Sequence, residues 1–504
     1  MRERYAAVTI VAALVLVGFL GALRLFDPFS GDQALFLVGA RAMHAGGVLY
    51  RDFWDIKQPG IFLFYLAGGL AFGFTQTGIH AADLAWQLLF AIALILGLRA
   101  ALDDRRWAAF APVAVVGAYF TGSSPWHLLQ VEALAGLPLF CLGWFALEAF
   151  ARPAYRRRLA ALSGCAAGIA ILLKLLFVGI AFAIVLTIAA SAVRRSGRDA
   201  VAAFARDFCL GLAAPLLAFS CYAAYDGILA QVVQTFFALP LTLATTAERA
   251  PLARLTDSAM RFLLYYRGII FLALVGLALV RDERSRMWRR IALVWLVVAA
   301  PTILVQEQSW WQYHFALFIP PVGIYATFGL AALAHRVRSS GYAGFAWLGL
   351  CGVASYIAVP LPQAGIAAAM AIAAQKPYAS AKALDEYRIA ESAEYAQART
   401  DANVLSGWQG RDSDGVYVFG NPLIYMLSDR LQAVGINGWA LQLYTPGLWS
   451  ALDRELRTHL PARVFVGNEE RALISARSTP TEALLAANYV PATATPDGTW
   501  LRRR

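Results

Sequence analysis

The sequence predicts an α-helical polytopic membrane protein of about eleven transmembrane helices, ending in a small α/β domain outside the membrane. Three observations carry this prediction. Of 504 residues, 60% are hydrophobic and 15% charged, far too apolar for a water-soluble chain of this size. Apolar runs long enough to cross a hydrocarbon core of about 30 Å recur up to residue 362, separated by short arginine-rich connectors. Beyond about Pro362, after one more alanine-rich stretch, the composition becomes mixed and water-compatible.

The first run, Tyr5 to Phe26, is about 20 residues long, lacks a small-residue cleavage site and reads as a retained span. Further runs lie at 79–98, 107–121, 129–150, 207–224, 262–280, 291–306, 314–334 and 343–362. The run from Leu159 to Val193 divides at Lys174 and Leu175 into two short spans, which makes eleven. Gly60 to Phe74 falls just under the usual crossing length. Treating it as interfacial, with Met1 inside, leaves twenty arginines on the inside connectors and seven basic residues outside. That matches the positive-inside bias, and a crossing at Gly60 to Phe74 would reverse it. The N-terminus is therefore expected in the cytoplasm and the C-terminus outside it.

This reading divides the chain into a transmembrane domain, 1–362, with a first outer loop at 27–78, and a soluble domain, 363–504. In the soluble domain a helical stretch from Ser380 to Ala398 precedes two apolar runs, Val416 to Phe419 and Arg463 to Val466. Each run ends in glycine (Gly420, Gly467) and precedes a helical pattern, the signature of a small α/β module. Neither glycine belongs to a nucleotide-binding motif.

The net charge of +11 resides in connector arginines, and no motif for nucleic-acid binding accompanies it. All five cysteines lie in apolar runs without metal-ligand spacing, so neither a disulfide framework nor a zinc site is expected. The scattered histidines form no metal triad.

The stretch from Asp27 to Tyr65 gathers four aspartates, a lysine and several aromatics between membrane-grade segments. The run from Asp32 to His44 reads as a short interfacial helix. Asp32 is its strongest chemical candidate, with a helix N-cap or first-turn acid as the plain alternative. Asp52 and Asp55 either assist or pair with Arg51 and Lys57 to hold the loop. Glu132, at the outer end of a span, is expected to line a cavity, because burial in lipid is costly for a carboxylate. Lys174 either snorkels to the interface or meets a lipid phosphate. Tyr313 and His314 stand at a tryptophan-rich boundary, where aromatic residues belong in any case; His314 is a candidate contact to a phosphate or sugar.

These residues form a pattern. The chain resembles the GT-C class of integral-membrane glycosyltransferases that use polyprenyl-phosphate-linked sugars, the superfamily of aminoarabinose transferases and protein O-mannosyltransferases. GDQALF (Gly31 to Phe36) resembles the acidic motif opening the first outer loop, and DIKQPGIF (Asp55 to Phe62) the lysine-proline element closing it. Glu132, Lys174 and HFALFIP (His314 to Pro320) resemble, in order, the second-loop acid, the lysine ending a later span and a polar H/Y-x-L-x-x-P segment. Three positions depart from the pattern. Gln33 stands where the family has glutamate, Gln58 separates Lys57 from Pro59, and Leu35 occupies the place of an arginine in some relatives.

The resemblance implies a GT-C-like fold, Asp32 as catalytic base, and Lys57 on the donor phosphate with Lys174 and His314. Gln33, Asp52, Asp55, Glu132 and Tyr313 would line the substrate site. It implies direct, inverting transfer of the sugar to an envelope acceptor, whether glycolipid, lipopolysaccharide, glycan or protein, at the outer face of the inner membrane. The implied partners are the bilayer, the lipid-linked sugar and that acceptor, with neither cofactor nor metal expected. The rivals are a flippase or transporter of lipid-linked sugars, which would favour internal repeats and midplane charges, and a non-catalytic scaffold.

Overall fold

The computed structural model describes residues 2–102, 104–246, 249–339, 361–406, 408, 415–439 and 446–504. The chain forms two compact units. The first comprises Met1–Leu25, His80–Phe219 and Arg249–Ala374, the second Phe26–Ile79, Ser220–Glu248 and Gln375–Arg504. The loop at 27–78 thus belongs to the same unit as the C-terminal region, a grouping that chain order does not suggest.

Seven helices among the described residues are long and apolar enough to cross a membrane: Ala6–Phe26, Gln76–Ala101, Val131–Ala151, Leu175–Ser196, Arg198–Tyr225, Arg286–Leu304 and Gln312–Ser339. Leu252–Tyr265 and Arg267–Leu279, bent by 78° at Tyr266, make an eighth if taken together. Two other expected spans are helical with different character. Arg156–Leu173 carries three arginines in its first turn, and the run at 107–121 is interrupted by a π-helical segment, Val113–Gly117. The expected span at 343–362 lies almost wholly outside the described residues. The chain does break at Lys174, whose extended backbone ends one helix before the 3-10 turn Leu175–Phe177 opens the next.

Within the first unit, helices meet through glycine, as expected where lipid supplies no hydrophobic drive and close backbone packing must hold them. A Cβ on Gly329 would lie 2.0 Å from the Leu272 carbonyl, and one on Gly276 2.3 Å from that of Tyr325. Arg267–Leu279 and Ile319–Ser339 therefore pack backbone to backbone.

In the second unit, Gly31–His44 and Pro59–Phe72 form a helical pair. Phe36 meets Phe62 and Tyr65 edge to face, with ring centroids 5.8 and 5.5 Å apart. The C-terminal region supplies a four-stranded sheet from β1 (Val416–Phe419), β2 (Arg463–Gly467), β3 (Tyr489–Ala494) and β4 (Gly498–Arg503), in the order β1-β2-β4-β3. β1 and β2 pair in parallel and β4 is antiparallel to both β2 and β3. Tyr417, Phe419, Val464 and Val466 pack with Trp449, Leu452 and Leu456 of the helix Pro446–His459. The expected helix at 380–398 is two helices, Ala381–Glu391 and Ala393–Asn403, each begun by a serine whose hydroxyl accepts a first-turn N–H.

Candidate active site

The helix that carries Asp32 starts at Ser30 because Gln33 turns back: its Oε1 accepts the Ser30 N–H at 2.8 Å, half of a capping box. Gln33 is fully buried in this capping position. Asp32 sits in the first turn, where the helix dipole favours a carboxylate. A Cβ on Gly31 would fall 2.5 Å from the Trp439 ring, so only glycine lets that ring lie against the helix start. The Gly31 N–H, which no helix start can satisfy internally, donates to Glu394 Oε1 at 2.9 Å. Asn421 donates to the same oxygen at 2.7 Å. Burial raises the Glu394 carboxyl above its ordinary range, and the neighbouring Asp32 adds to the effect. Asp32 itself is half-buried, and among the described residues no group hydrogen-bonds or ion-pairs with its carboxylate.

Asp55 is buried, and its Oδ1 accepts the Lys57 N–H at 2.7 Å. The Asn437 amide reaches Asp55 Oδ2 at 3.5 Å and the Trp54 carbonyl at 3.1 Å. Burial pushes the Asp55 carboxyl up to about 6; Lys57 opposes this and Asp32 adds to it. Asp32 and Lys57 thus both lie within electrostatic reach of Asp55. The Lys57 ammonium is half-buried and pairs with no described group. Asp52 is engaged otherwise: it accepts the Val48 N–H at 2.7 Å and pairs with Arg51 at 2.9 Å. The Arg51 guanidinium holds its carboxyl below the usual range.

The other predicted residues fall in the first unit and form their own cluster. Glu132 Oε1 accepts from Lys174 Nζ at 2.6 Å and lies 2.9 Å from His314 Nδ1. Gln306 accepts a second hydrogen bond from Lys174, while its amide donates to the Thr302 carbonyl at 2.8 Å. The second His314 nitrogen lies 3.1 Å from the Ser309 hydroxyl. Tyr313 is buried beside His314. The carboxylate that the sequence places in a span is thus compensated by a cation and an imidazole, as burial demands.

Sequence reasoning missed Glu394, Asn421, Asn437, Trp439 and Gln306. One signal was present: β1 and β2 both end in Gly-Asn (Gly420-Asn421, Gly467-Asn468), the place where α/β sheets present polar groups. Asp83 was also missed. It is buried in the span Gln76–Ala101 and accepts the Tyr119 hydroxyl at 2.9 Å, and an aspartate within an apolar run is itself a signal.

Neither a protein-family profile nor a curated protein matches the sequence. Solved structures do match. ArnT from Cupriavidus metallidurans bound to undecaprenyl phosphate superposes with a TM-score of 0.63 at 14% identity, covering 98% of this chain and 97% of that one. Its apo form gives a TM-score of 0.60 at 14% identity, covering 99% and 98%. The archaeal oligosaccharyltransferase AglB from Archaeoglobus fulgidus, in complex with an inhibitory peptide and a dolichol-phosphate, gives 0.53 at 13% identity, covering 100% of this chain and 74% of that one. The chain is therefore a multi-pass membrane protein with the GT-C fold that ArnT and AglB share.

Proposed function

We propose that this protein is a membrane glycosyltransferase that moves a sugar from a polyprenyl-phosphate donor to an envelope acceptor on the outer face of the inner membrane. The observation that carries the reading is the placement of a carboxylate without a described partner, Asp32, and an ammonium likewise, Lys57, around the buried Asp55. The near full-length likeness in fold to a transferase bound to undecaprenyl phosphate supports the choice of donor.

In this reading Asp32 takes the proton from an acceptor hydroxyl as its oxygen forms the bond to the anomeric carbon. The bond from that carbon to the phosphate oxygen breaks, its electron pair leaves on the polyprenyl phosphate, and the configuration inverts. Lys57 stabilises the charge that develops on the leaving phosphate, the kind of preorganised contact that lowers such barriers most. No step requires a metal or a cofactor.

The test is transfer by the purified protein in lipid, with radiolabelled polyprenyl-phosphate sugars and envelope extracts as acceptors. Asp32→Asn is expected to lower transfer by about a hundredfold or more, the usual worth of a general base, with the fold intact. Equal transfer by the variant and the wild type would remove Asp32 from the mechanism. Movement of labelled lipid between leaflets without transfer would favour a flippase.

A further inference from the structure

The loop that carries Asp32 and Lys57 is held by residues hundreds of positions away, and at two points the holding group is polar and specific. Glu394 Oε1 takes the Gly31 N–H, the residue directly before Asp32, at 2.9 Å. Asn437 binds the Trp54 carbonyl and approaches Asp55, whose other oxygen takes the Lys57 N–H. Beside Asn437, the Gly435 carbonyl accepts the Trp54 N–H at 2.8 Å. Glu394 is itself oriented by Asn421. All these residues belong to one compact unit.

We propose that Glu394 and Asn437 are positioning residues for the transfer: Glu394 sets the first helical turn and so the Asp32 carboxylate, and Asn437 sets the Trp54–Lys57 turn and so the Lys57 ammonium. The C-terminal region is then part of the catalytic apparatus, although it need not touch the reacting atoms. The choice of residue types supports this assignment. An anionic carboxylate half-buried beside a second one carries an electrostatic cost that a neutral acceptor would avoid, and burial keeps Glu394 easier to protonate than usual. What the carboxylate offers is a strong acceptor for the N–H of a helix start. Asn437 combines a donor for the Trp54 carbonyl with an acceptor that takes the Trp439 N–H at 3.1 Å, fixing the segment whose indole lies against Gly31.

The inference rests on Asp32 being the base of the proposed transfer, and its test has a readout that does not depend on activity. Hydrogen exchange of full-length protein in lipid nanodiscs is measured over residues 28–40 and 48–58, alongside steady-state transfer, for Glu394→Ala, Glu394→Gln and Asn437→Ala. Glu394→Ala is expected to speed exchange over 28–40 and to lower kcat by about ten- to a hundredfold, the scale of a small misplacement of a catalytic group. KM for the lipid-linked sugar should stay within about twofold, since the donor's contacts remain. Glu394→Gln, which keeps an acceptor for Gly31, should restore both exchange and most of kcat. Asn437→Ala should speed exchange over 48–58 and lower kcat by a similar factor, about ten- to a hundredfold.

Unchanged exchange in Glu394→Ala overturns the proposal. So does a Glu394→Gln variant that folds yet loses kcat as Ala does, because the charge and not the held N–H would then matter. If Glu394→Ala does not fold, the Gln and Asn437 variants decide. Should Asp32→Asn transfer normally while the exchange results hold, the assignment of the base fails and the holding of the loop stands.

Discussion

Asp55 shows how burial writes pH dependence into one residue. Its carboxyl is raised from 3.8 to about 6, so the folded protein binds that proton more tightly than the unfolded chain does. Ionising Asp55 therefore costs stability above about pH 6, and the cost is relieved as pH falls from about 6 towards 4, a contribution of a few kcal/mol. The unfolding midpoint should show a rising step on acidification in that window. Asp55→Asn, which keeps the acceptor for the Lys57 N–H, should remove the step and raise the midpoint at pH 8, as thermal unfolding in detergent would measure. The buried pair of Glu132 and Lys174 makes the opposite case. Glu132→Gln leaves Lys174 without its carboxylate and is expected to cost about 3–5 kcal/mol, whereas Glu132→Leu combined with Lys174→Met should cost less, because an apolar pair strands no charge. Denaturant titration of the single and double variants checks this. At this scale the sequence singled out Glu132 and Lys174 as charges in apolar runs and passed over Asp83, which lies in one as well. It did not name the partners of Lys174 and Asp55: Gln306 and Asn437 are ordinary amides whose roles arise from position alone.

Among the elements, those set by local pattern were legible. The helix from Asp32 to His44 and the two strands at 416–419 and 463–466 are where periodicity and flanking glycine put them, because side-chain period and turn chemistry are local properties. The split at Ser392 and the hairpin of β3 and β4 were not read, since a serine cap inside a helical pattern and short polar-faced strands leave weak traces. The number of spans was less legible than their existence. Arg156–Leu173 opens on three consecutive arginines and the run at 107–121 is broken by a π-helical segment, and neither is among the seven helices long and apolar enough to cross. Helix contact in the first unit makes its own prediction. Gly329→Leu would drive a side chain into the Leu272 carbonyl, and since that neighbour is backbone and cannot step aside, destabilisation of about 3 kcal/mol or more is expected. A fall in the thermal midpoint of purified protein, or loss of the monodisperse fraction, is the measurement.

For the whole molecule, the arginine-rich connectors argue that the N-terminus and the segment Arg281 to Arg290 face the cytoplasm. A reporter active only outside the cytoplasm, fused after Arg504, should therefore be active, and one fused at Arg284 silent. The reverse pattern would invert the topology and move Asp32 to the wrong face for an envelope acceptor. At the same scale, the second unit draws on three separated stretches of chain, 26–79, 220–248 and 375–504.

By itself the sequence determined that this chain lives in a membrane and which charged residues lie in or beside its apolar runs. Those follow from local quantities: the length of an apolar run against the thickness of a bilayer, and the price of a buried charge. Tertiary structure alone decided that Glu394 meets Gly31 across 363 positions and Asn437 meets Asp55 across 382. A hydrogen bond between distant stretches depends on how two surfaces come together, and neither stretch carries a periodicity that announces the other.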